Sequence, residues 1–166
     1  MRLAALDTNF LLAYAAGESD VEETFDYLRA NNFQIIITRS VIEQLADLIR
    51  IKDDPNHLFA LYAYWMLPSW GIVEASNPYV ENGTSCAHAE KIRDQGLIPD
   101  VSRIDSEILV EASCHKCDLL ITFSECLISA PSGPLNLALI DSEMDAVTIA
   151  IASPGMIAER MRQTGK

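Results

Sequence analysis

Short apolar runs alternate along this chain with stretches of helical periodicity. Leu3–Leu6 is apolar and stops at Asp7-Thr8-Asn9. Gln34–Thr38 holds three consecutive isoleucines, the composition of a strand buried on both faces. Gly71–Ala75 is a weaker strand candidate, Asp118–Phe123 a strong one and Asp145–Ile151 a further one. Val21–Ala30, Ser40–Ile51, Pro55–Leu67, Ser85–Gln95 and Ser102–Cys114 read as helices. Val41, Leu45, Leu48 and Ile49 recur at helical spacing, as do Ile104, Ile108 and Ala112. Five short strands, most of them separated by helices, predict an α/β fold with a mainly parallel sheet.

One of these helices has no polar face. His57–Leu67 is apolar around nearly its whole circumference, and Asp54-Pro55 is expected to start it, with Pro55 at a first-turn position. Such a helix is either central to the core or covered by a partner. In a chain of 166 residues, a size expected to form one domain spanning 1–166, the second alternative points to a homodimer through His57–Leu67.

Charge narrows the function classes. The net charge is −12, which repels phosphate backbones and anionic lipid over most of the surface. Nucleic acid held through a bound divalent cation remains compatible, because the cation reverses the local sign. Leu58–Leu67 is the longest apolar run and is too short to span a membrane. Asp7 comes too early for a signal peptide, so a soluble, cytoplasmic protein with reduced thiols is expected. No Gly-rich dinucleotide fingerprint and no Walker-type loop is present. Asn9 stands where a dehalogenase-like phosphatase would want a second aspartate, and the acid pair and lysine of a response-regulator receiver are missing.

Ligands of open parallel sheets gather outside the carboxyl ends of the strands. Three acids fall near such positions. Asp7 closes the first strand, Glu43 lies in the first turn after the second, and Asp105 opens the helix leading into the fourth. Local explanations exist for each: Ser40…Glu43 and Ser102…Asp105 both have capping-box spacing, and Asp7 suits a strand-to-helix cap. Convergence of all three would instead need a cation, and hard oxygen donors select Mg²⁺ or Mn²⁺.

Leu6-Asp7-Thr8-Asn9 followed by Phe10-Leu11-Leu12 resembles the opening of a PIN domain. Ile35-Ile36-Ile37-Thr38 with Val41 and Glu43 is similar to that family's second strand and glutamate-bearing helix. Asp105 with Ile108 and Ala112 resembles its third acidic segment, and Asp118–Thr122 its fourth strand. Val147–Ala150, Ser153-Pro154-Gly155 and the apolar residues from Met156 resemble its last strand and closing helix. The resemblance implies a three-layer α/β/α sandwich with a four- or five-stranded sheet. It also implies a metal-dependent nuclease acting on RNA, with Asp7, Glu43 and Asp105 as metal-holding and catalytic acids around Mg²⁺ or Mn²⁺. Thr8 and Asn9 then steady Asp7 or the metal's waters, and Thr122 supports the acids from the fourth strand. Arg39 is the candidate for holding substrate phosphate, with Arg103, Arg50 and Lys52 behind it.

The chain departs from the family after Thr122. The usual acid is replaced by Ser124, and Glu125, one position on, is the available substitute as a metal ligand. Three function classes follow. The first is a Mg²⁺- or Mn²⁺-dependent ribonuclease, including the toxin half of a toxin–antitoxin pair of the VapC group with a small basic antitoxin. The second is a catalytically weak or inactive PIN-like module binding RNA or protein. The third is an interaction domain whose acids are only caps. Cys114-His115-Lys116-Cys117 has zinc spacing but needs further ligands, for which Cys86 and His88 are the supply; ordinary thiols are the simpler reading. Asp141, Glu143 and Asp145 read as a solvated turn and Asp100 as a reserve ligand.

Overall fold

The computed structural model describes residues 2–98, 100–140 and 144–164. In chain order the elements are β1 (Arg2–Leu6), α1 (Thr8–Ala15), α2 (Ser19–Ala30), β2 (Phe33–Ile37) and α3 (Arg39–Arg50). Then come α4 (His57–Met66), β3 (Val73–Glu74), α5 (Pro78–Glu81), α6 (Thr84–Asp94) and α7 (Arg103–Cys114). The chain ends with β4 (Leu119–Ile121), α8 (Glu125–Ile128), α9 (Ser132–Ile140), β5 (Ala150–Ala152) and α10 (Pro154–Thr164).

The strands form one five-stranded sheet in the order β3-β2-β1-β4-β5, every pairing parallel. Helices flank it, as expected of an α/β/α sandwich. The central strands are buried on both faces: Ala4, Ala5, Leu6, Ile37, Leu120 and Ile121 have no exposed surface. This is why β1, β2 and β4 read as continuous apolar runs. Strand order reverses direction between β1 and β4, so the crevice at their carboxyl ends is the topological switch point.

Several expectations are revised. The last strand is Ala150–Ala152, not Asp145–Ile151. Before it, the N–H of Val147 is turned to Ser113 and that of Ile149 to the Asn136 side chain, so neither meets a neighbouring strand. The Glu125–Ile128 and Ser132–Ile140 helices are additions to the expected elements; Gly133 and Pro134 sit in the opening turn of α9, where a missing N–H costs little. Helix α4 begins at His57, so Pro55 lies ahead of its first turn, in a turn where Asp54 accepts from Asn56 N (2.7 Å).

Helix α4 packs on α1 and α3, and it does so through small residues. Ala60 and Ala63 are buried, whereas Leu58 (71% exposed), Tyr62, Tyr64 and Trp65 (73%) face outward. A place wholly inside the core is therefore ruled out for this helix. Among the described residues no helix is long and apolar enough to cross a membrane.

Asp141 and Glu143 lie outside the described residues. Asp145 pairs with Lys116 at 2.5 Å, and Asp100 is exposed. All four cysteines are free, with Cys114 and Cys117 buried ahead of β4. Burial pushes these two thiols up to about 11 and about 12, the environment of inert packing thiols.

Candidate functional site

Asp7 follows β1 directly and caps α1. Its backbone is extended (φ −83°, ψ 173°), and Oδ1 accepts from Phe10 N at 2.7 Å. Oδ2 faces the neighbouring strand end, accepting from the Thr122 hydroxyl at 2.7 Å and from Phe123 N at 3.1 Å. Thr122 Oγ1 in turn accepts from Ser124 N at 2.9 Å, so the turn after β4 is organised around Asp7. The carboxyl is only 4% exposed. Burial pushes its pKa up, the three hydrogen bonds oppose that shift, and the negative charge of Asp105 adds to it. Asp7 thus does both things its position suggested: it caps a helix, and it brings a buried carboxylate to the switch point within the field of Asp105.

Asp105 stands in the first turn of α7, half-buried. Ser102 caps that helix by accepting from Asp105 N at 3.0 Å, which leaves the Asp105 carboxylate outside the cap. Glu43 is different. The N-cap of α3 is Thr38, so Glu43 is not the partner in a Ser40 capping box. Its side chain is exposed and ion-paired to Arg39 at 2.7 Å. Glu43 and the opening turn of α7 line a groove of about 400 Å³ between α3 and α7, together with Gln44 and Arg103.

Thr8 donates to Gln44 Oε1 at 2.5 Å, tying α1 to α3. Asn9 is exposed beside it. Ser124 precedes α8 without a side-chain cap bond, and Glu125 is exposed in the first turn of that helix.

One residue the sequence reading passed over proves central to the geometry. Glu111, 1% exposed, reaches from α7 to the start of α3, where it accepts from Ser40 N (3.0 Å) and Ser40 Oγ (2.9 Å). Burial, aided by the charge of Glu107, pushes its pKa up. Glu107, on the same helix face, pairs with Arg103 at 2.8 Å. The signal was available in the i, i+4, i+8 spacing of Arg103, Glu107 and Glu111, a charged stripe on a helix that is otherwise buried. Of this stripe, Glu111 ties the helix carrying Glu43 to the helix carrying Asp105.

Hard oxygen donors at the mouth of the switch point fit a small divalent cation in kind. Asp7 Oδ1 makes one hydrogen bond and keeps a lone pair, and Asp105 is near enough to raise its pKa. As arranged, however, no group of three or more His, Cys, Asp or Glu among the described residues is placed to hold a metal ion. Glu43 is engaged with Arg39 instead.

No protein-family profile and no curated protein matches the sequence. Among solved structures the chain is similar to VapBC2 from Rickettsia felis, crystallised bound to a DNA fragment from its promoter. The TM-score is 0.53 and the identity 16%, over 91% of this chain and 98% of that one. At this identity the likeness is one of fold, and it extends over nearly the full length of both chains.

Proposed function

We propose that this chain is a PIN-like ribonuclease that hydrolyses RNA phosphodiester bonds with the help of Mg²⁺ or Mn²⁺. The observation that carries the reading is Asp7, a buried carboxylate at the switch point whose ionised form is disfavoured by burial and by Asp105. A cation relieves both penalties at once. Asp7 and Asp105 would hold it, with Glu43 recruited from Arg39 and Glu125 available in place of the acid that Ser124 replaces. When bound, such an ion supplies an activated water and offsets charge on the leaving oxygen.

The chain's own residues set the frame for that chemistry. Thr122 and the Phe123 N–H fix the orientation of Asp7, and Glu111 holds α3 against α7. Arg39 and Arg103 flank the groove as phosphate-binding groups. The fold likeness to VapBC2 supports the same reading, including a small basic antitoxin as partner for a chain of net charge −12. The exposed aromatic face of α4 suits a homodimer contact.

A second reading is favoured by Ser124 and by the ion pair that holds Glu43: a catalytically weak or inactive module that binds RNA or protein. Cleavage of single-stranded RNA in Mn²⁺ separates the two. The nuclease reading expects cleavage by the wild type and its loss in Asp7→Asn and Asp105→Asn. Absence of cleavage by the wild type, or cleavage that survives both substitutions, overturns it.

A further inference from the structure

We propose that the open edge of β5 is a docking site for an extended peptide of a partner protein, one that carries apolar side chains on one face and acidic side chains on the other. The site lies on the far side of β4 from Asp7 and is independent of the nuclease reading.

Strand β5 is the last in the sheet and, among the described residues, pairs only with β4. Ala150 N donates to Asp118 O (3.1 Å) and Ala152 O accepts from Thr122 N (3.0 Å). In a parallel ladder this alternation turns the N–H and C=O of Ile151 away from β4, toward the open edge. The preceding outward N–H, that of Ile149, is already occupied: it donates to Asn136 Oδ1 at 3.0 Å. Asn136 stands where an additional strand would stand and ends the open stretch on that side. Helix α10 ends it on the other, beginning at Pro154. What stays open is a length of edge centred on Ile151, suited to a short strand and too short to template a sheet.

A groove accompanies this edge on each face. On the α2/α10 side, Ala150 and Ala152 share a face with Leu119. Their small side chains leave about 480 Å³ between the strand and α10, bordered by Phe33, Leu119, Met156 and Ile157. On the opposite side, Ile149 and Ile151 border about 420 Å³ beneath α8 and α9, with Leu127 and Leu135. An added strand sends alternate side chains to opposite faces. One open edge flanked by a groove on each side is the arrangement that strand addition uses, with main-chain bonds holding the peptide and the grooves reading its side chains.

Charge selects the peptide. Arg2 and Arg160 border the α2/α10 groove. The Arg2 guanidinium lies over the Phe33 ring, 4.1 Å from its centroid, and is in no ion pair among the described residues. In a chain of net charge −12, this apolar groove with the Arg2 guanidinium at its mouth attracts a carboxylate. The face toward α8 and α9 carries no such charge and takes apolar side chains.

The test uses the full chain and a blocked, fluorescein-labelled peptide of alternating valine and glutamate, read by anisotropy and by amide hydrogen exchange. Saturable binding is expected, with slowed exchange at Ile151 and Ser153. Binding should fall at least tenfold when alternate peptide nitrogens are methylated, when lysine replaces glutamate in the peptide, and in Arg2→Glu. It should be unchanged in Trp65→Ser on the α4 face. No binding, equal binding of the methylated or lysine peptides, or unaltered exchange at Ile151 overturns the proposal. So does cross-linking of Ser153→Cys copies to one another, which would assign the edge to a second copy of this chain.

Discussion

Replacing Glu111 by alanine removes the acceptor that joins α7 to the start of α3. The Ser40 N–H is then left buried without its partner, at a cost of about 1–3 kcal/mol, and burial of the side chain's methylenes is lost at about 0.8 kcal/mol each. Against this, a carboxylate whose charge is disfavoured by burial and by Glu107 no longer has to be buried. The net expectation is a destabilisation of about 1–3 kcal/mol, the relief cancelling roughly the methylene contribution. Glu111→Gln should behave otherwise. Its amide oxygen still accepts from Ser40 N and its NH₂ can donate to Ser40 Oγ, so stability should stay within about 1 kcal/mol of the wild type. Urea unfolding followed by circular dichroism measures both. An alanine variant as stable as the glutamine variant would refute the role assigned to this contact.

Both Asp7 and Glu111 have pKa values raised in the folded state. The folded chain therefore binds their protons more tightly than the unfolded chain does, and their contribution to stability is most favourable at low pH and lost as pH rises through the folded values. Urea midpoints across mildly acidic to neutral pH should show Asp7→Asn, Glu111→Gln gaining on the wild type as pH rises; a constant gap would remove this linkage. Thr122→Val deletes the hydroxyl that donates to Asp7 and accepts from Ser124 N, so it should cost about 1–2 kcal/mol and move the Asp7 pKa further up in carboxyl NMR titrations. Leu58→Ser, Trp65→Ser changes only exposed side chains of α4 and should convert a sedimenting dimer to a monomer, with unfolding that no longer depends on protein concentration; a wild type that is already monomeric would contradict the homodimer.

The sheet was legible because its central strands are buried on both faces, which leaves the unbroken runs around Ile36 and Leu120. The carboxyl-edge position of Asp7 followed from where the first run stops. The fifth strand was misplaced because Val147 and Ile149 have strand-like side chains, while their N–H groups are taken by Ser113 and Asn136, partners remote in sequence. For Glu111 the charged i, i+4, i+8 stripe of α7 marks the position, but its partner, Ser40 of α3, is remote in sequence and only the packing names it. Glu43 shows the limit of spacing alone, since an arginine four residues earlier competes with both the capping box and the acidic cluster. In α4, apolar composition correctly signalled a helix short of polar contacts; only packing reveals that the alanines face inward and the aromatics outward.

The most direct measurement is a Mn²⁺ titration followed by electron paramagnetic resonance and calorimetry on the wild type, Asp7→Asn, Asp105→Asn and Arg39→Ala. Binding by the wild type, lost in both aspartate variants and tightened when Glu43 is released by removal of Arg39, is the predicted result. Affinity that ignores Asp7→Asn and Asp105→Asn would contradict a cation shared by Asp7 at the end of β1 and Asp105 at the start of α7.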